Sequence, residues 1–181
     1  YLDISGDVEI EFDKDILTGD ENNIQIEYSL EDTNEYQFLN KYGDNEVSYE
    51  NYNGNDKYVF NSISYDANKQ IALGIGTYTL TGIIRNHPIY LASDNLNDIS
   101  MNGTQEDSSG YYGTVTITVT GDFGTASYGC RSHTEMFETN KLVYKDVHVS
   151  SIEKNGSESK WKYTLSLPQE IDTSLNVTIK Y

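Results

Sequence analysis

Apolar and polar residues alternate with a period of two along most of this chain. The clearest stretch is 114–120, where Val115, Ile117 and Val119 face one way and threonines face the other. The same alternation marks 7–12 (Val8, Ile10, Phe12) and 23–28 (Ile24, Ile26, Tyr28), and it returns at 162–167 and 176–180. Asn-Gly and Gly-Asp pairs, at Asn53-Gly54, Asn102-Gly103, Gly121-Asp122 and Asn155-Gly156, fall between strands as turn signals. No stretch carries a helical period. Many short strands separated by frequent turns predict an all-β chain built as an antiparallel β-sandwich.

Three segments differ in character. Residues 1–57 are acidic and rich in Asn and Asp. Residues 58–145 hold the residues with metal-ligand chemistry discussed below. Residues 146–181 add further strands, and each outer segment is short for an independent core. The flanks are expected to pair with one another as a second small β-domain, to extend the central sandwich, or to pack on neighbouring chains.

Composition narrows the function. The chain has 181 residues and a net charge of −17. That excess of acid argues against nucleic acid and against anionic membrane surfaces, both of which need a basic face. No apolar run approaches the roughly 20 residues of a membrane-spanning helix. A soluble or surface-exposed protein (secreted, periplasmic or on a virion) is expected. A single Cys excludes an internal disulfide and a Zn site built from several thiolates. Sequons at Asn102, Asn155 and Asn176 are short motifs in an Asn- and Thr-rich chain.

That one Cys, Cys130, sits close to His133 and Met136, in a chain with only three His and two Met. A strand over 125–129 would end at Cys130, and a tight loop would then aim thiolate, imidazole and thioether at one point. Two His, one Cys and a weak axial Met form the ligand set of a blue-copper centre. His87, in the segment 85–90, is the best candidate for the second imidazole. Soft sulfur suits Cu(I), while imidazole serves both oxidation states. His148 alternates with Val147 and Val149 in a strand pattern and is expected to pack on a sheet.

The spacing Cys130-x2-His133-x2-Met136 resembles the ligand loop of the cupredoxin family, as found in amicyanin and plastocyanin. Residues 76–80 followed by 86–91 resemble that family's strand and first-ligand segment, so the resemblance covers about 58–145. It implies a cupredoxin-like Greek-key β-sandwich with a mononuclear type 1 copper site held by His87, Cys130, His133 and Met136. It also implies one-electron transfer or copper holding, with a protein redox partner. Departures accompany it. Pro88 follows the first His and lacks an N–H. Gly129 stands before the Cys where plastocyanin-like proteins often carry Tyr. The loop offers Arg131, Ser132, Thr134 and Glu135 where an apolar docking rim is usual, and Phe137 and Glu138 follow the Met.

Other chemistries carry weaker signals. Asp13, Asp15, Asp20 and Glu21, and the segment 94–98, could offer oxygens to Ca2+, but neither has the spacing of an EF-hand. No nucleophile elbow and no nucleotide-binding glycine fingerprint is present, so a non-enzymatic protein is expected. The rival reading is a structural or adhesive β-module of a larger extracellular assembly (virion surface, appendage or cell envelope), with neighbouring subunits as partners.

Overall fold

The computed structural model describes residues 6–13, 25–41, 43–93, 95–105, 110–145, 151–156, 160–167 and 175–180. The chain is all-β. It divides into two compact units, one formed by Tyr1–Thr33 with Asp146–Tyr181 and the other by Asn34–Lys145. In chain order the strands are β1 (Gly6–Asp13), β2 (Gln25–Leu30), β3 (Tyr36–Phe38), β4 (Asp44–Tyr52), β5 (Asn55–Phe60), β6 (Gln70–Leu73), β7 (Gly76–Ile83) and β8 (Tyr90–Ala92). They continue as β9 (Ile99–Gln105), β10 (Tyr111–Val119), β11 (Thr125–Gly129), β12 (Glu138–Tyr144), β13 (Ser151–Gly156), β14 (Lys160–Leu167) and β15 (Leu175–Lys180).

In the first unit, strands from the two ends of the chain pair with each other. β1 lies antiparallel to β14, with Gly6 opposite Leu167 and Asp13 opposite Lys160. β13 flanks β14 on its other side, and β2 pairs antiparallel with β15.

The second unit is a sandwich of two five-stranded sheets, ordered β5-β4-β7-β10-β9 and β3-β6-β12-β11-β8. Both sheets are mixed, because β4 runs parallel to β7, and β6 runs parallel to both β3 and β12. This departs from the antiparallel arrangement expected above. Alternation identifies a strand but not the direction of its neighbour, and parallel partners are joined by long crossovers that leave no turn signature. The core lies between the sheets. On β10, Val115, Ile117 and Val119 are all buried, as their alternation requires. Each such side chain contributes about 1.5–3 kcal/mol by leaving water. They meet Leu80 of β7, Phe60 of β5 and Leu142 of β12 in one cluster.

Residues 34–57 belong to this sandwich, so the central unit begins at 34 and not at the sequence boundary of 58. Asn53 and Gly54 take positive φ values of 54° and 88° and close the β4–β5 hairpin with Tyr52 opposite Asn55. That is the two-residue turn for which Asn-Gly is favoured. The acidic side chains of β4 disguise its role. Asp44 and Glu46 are exposed, while Asn45 and Val47, alternating with them, are buried. Buried Asn45 is fully used: its carbonyl accepts from the Asn40 N–H, and its amide donates to the Asn40 and Thr79 carbonyls.

Asp15, Asp20, Glu21, Asp94 and His148 lie outside the described residues, and so do the calcium readings that rest on the first four. Among the described residues, no helix is long and apolar enough to cross a membrane.

Candidate metal centre

His87 sits on the turn after β7. Its N–H donates to the Ile84 carbonyl at 3.1 Å, and Pro88 follows with its fixed φ. Ile89 is then locked to Tyr111 by two reciprocal backbone bonds of 2.9 and 2.8 Å. The backbones approach closely here. Gly110 has φ +130°, and a Cβ at that position would meet the Ile89 oxygen at 2.6 Å. The hydroxyl of buried Tyr58, on β5, donates to the carbonyls of His87 at 3.1 Å and Pro88 at 3.2 Å. The imidazole packs against the Tyr49 ring, 5.3 Å away, and against the His133 ring, 4.6 Å away.

Cys130 follows the last residue of β11 and is 1% exposed. The chain then reverses through a single 3-10 turn, Thr134–Met136, closed by the Met136 N–H donating to the His133 carbonyl at 2.9 Å. Several contacts fix this loop. The Arg131 guanidinium lies 5.0 Å above the Tyr90 ring, and Phe137 stacks on that ring at 5.8 Å. The Lys57 ammonium donates to the Glu135 carbonyl and pairs with the buried Glu138 carboxylate, each at 2.6 Å. Gly129 has a local cause: a Cβ there would stand 2.6 Å from the Phe137 Cα, so the returning chain occupies the space of any side chain.

The fold brings three of the sequence candidates together. The ligand atoms of His87, Cys130 and His133 all lie within 4.8 Å of one another. The Cys130 Sγ is 3.7 Å from the His133 Nδ1. Sulfur and nitrogen at usual metal-bond lengths around a trigonal ion would be about 3.8 Å apart. The fourth candidate, Met136, is fully buried and belongs to the same core cluster as Cys130.

One atom stands out among the described residues. The Nδ1 of His87 is buried and has no hydrogen-bond partner. A buried polar atom left bare costs about 1–3 kcal/mol, and a metal ion would satisfy it. A thiolate with two imidazoles suits a soft or borderline transition metal, not a hard cation such as Ca2+. The residues present therefore fit a metal ion.

The surroundings are apolar and aromatic within and polar at the rim. Burial is the main cause that raises the pKa values of the Tyr49 and Tyr58 phenols, and the neighbouring Cys130 adds to both shifts. Both hydroxyls therefore stay protonated beside the sulfur. An open depression over the two imidazoles is lined by Asp56, Arg85, Asn86, Ser132 and Glu135. The sequence reading did not single out Asp56, Tyr49 or Tyr58. They sit on the β4–β5 hairpin, and no spacing ties them to the ligand loop.

Comparison of the chain with protein-family models, curated proteins and solved structures found no match.

Proposed function

We propose that this chain is a copper-binding, cupredoxin-like protein with a mononuclear type 1 site, acting in one-electron transfer or in holding copper. The observation that carries the reading is the convergence of His87, Cys130 and His133 from two separate segments onto one ion-sized space. Cys130 would hold the ion through its thiolate together with the imidazoles of His87 and His133, and buried Met136 would offer a weaker thioether. Bound copper would supply a one-electron couple. The protein would supply a rigid ligand loop, tied down by Lys57 and Arg131, that changes little between the two oxidation states. A protein redox partner and an extracellular or surface location belong to the same reading.

The polar rim formed by Asp56, Arg85, Ser132 and Glu135 favours a second reading. In that one the sandwich is a non-enzymatic structural module of an extracellular assembly, with metal as a structural staple.

The test is to add Cu(II) to metal-free protein and record the visible spectrum. An intense thiolate-to-copper band in the red is expected, and Cys130→Ser should abolish it while leaving the fold intact. A folded chain with reduced Cys130 and no such band rejects the type 1 site.

A further inference from the structure

The two ring nitrogens of His87 face different environments. Nδ1 is buried without a partner, in a residue that forms the cluster with Cys130 and His133. Nε2 faces the Asp56 carboxylate, with Oδ2 at 3.9 Å. The carboxylate is oriented from its other side, where the Asn51 amide donates to Oδ1 at 3.5 Å. Asn51 and Asp56 are register partners across the β4–β5 hairpin, so the hairpin itself sets this arrangement.

An ionised carboxylate only accepts hydrogen bonds. A neutral imidazole carries one proton, on one nitrogen or the other. The carboxylate therefore favours the tautomer with hydrogen on Nε2, which leaves the lone pair of the buried Nδ1 free to bind a metal ion. The geometry points to Asp56 as a positioning residue that holds His87 in its metal-ready tautomer and orientation before any metal arrives. It does so through an acidic side chain on a strand edge and not through the ligand loop. Carboxylate partners of metal-bound histidines act in this way in general, by fixing the tautomer and raising the basicity of the ring. The effect on copper rests on the function proposed above; the effect on the tautomer does not.

The experiment compares the native chain, Asp56→Ala and Glu46→Gln. Glu46 is exposed on the same hairpin and controls for loss of one negative charge. Long-range 1H–15N spectra of the metal-free proteins, in alkaline buffer where an ordinary histidine is neutral, read the His87 tautomer directly. The native chain should show hydrogen predominantly on Nε2. Asp56→Ala should raise the minor tautomer roughly two- to fivefold, the range for a half-exposed charge contact. Copper affinity should fall roughly tenfold, at the low end for loss of such a partner. Glu46→Gln should do neither. A native chain with the proton on Nδ1 would overturn the assignment. So would an Asp56→Ala protein whose tautomer ratio matches that of Glu46→Gln. A chain that takes up no copper yet shows the tautomer shift would keep the Asp56 role and sink the copper reading.

Discussion

Two buried residues beside the cluster separate packing from chemistry. Met136 is fully buried, so Met136→Leu keeps its volume and apolar character and should cost less than about 1.5 kcal/mol in urea unfolding. On the proposed function, the same change removes a sulfur ligand, so the reduction potential of copper-loaded protein should move while its stability barely does. Glu138 behaves in the opposite way. One carboxylate oxygen pairs with Lys57 at 2.6 Å and the other accepts from the Tyr65 hydroxyl at 2.8 Å. Glu138→Gln strands a mostly buried ammonium, at a cost of about 3 kcal/mol. Equilibrium denaturation should show this loss with or without metal.

Elements explain why part of the site was legible and part was not. β10 and β11 could be read directly, because alternation on β10 and the approach to Cys130 on β11 are local properties. The Asn53-Gly54 turn was equally legible. β4 was not, because its exposed acids made a core strand resemble an acidic flank, and with it went Asn51, the partner that orients Asp56. His87 could be nominated from sequence, but its approach to Cys130 depends on the Ile89–Tyr111 bridge and on the sheets around it. Gly129 also changes meaning between the two levels. In sequence it differs from the Tyr common in the proteins that the ligand loop resembles, and in the fold it is the point where β11 meets the returning chain at Phe137. Gly129→Ala should therefore push the ligand loop away from β11, at a cost of about 1–3 kcal/mol. A lower thermal midpoint, together with a shifted or weakened copper band, would check it.

On the scale of the whole molecule, buried phenols govern the response to alkali. Burial raises Tyr128 well above the ordinary tyrosine value, and burial with the bond to Glu138 raises Tyr65. Below about pH 10 these protons are held in the folded and unfolded chains alike. Above it only the unfolded chain releases them, so ionisation favours unfolding by roughly 1.4 kcal/mol per pH unit for a fully buried tyrosine. Lys141 acts the other way: burial lowers its pKa, so its contribution grows as pH climbs toward about 10.5. The tyrosines outnumber it, and unfolding above pH 10 should be steep and should coincide with the rise of phenolate absorbance.

Cys130 and His133 are sequence neighbours in every conformation, whereas His87 joins them only once the turn behind β7 is pinned. A denatured chain thus carries a two-pronged clasp for soft metals, and the native chain carries a three-pronged one. Loading stabilises only by the difference between the two grips. The heat resistance gained from copper should therefore level off once the free metal exceeds what the denatured clasp can already seize.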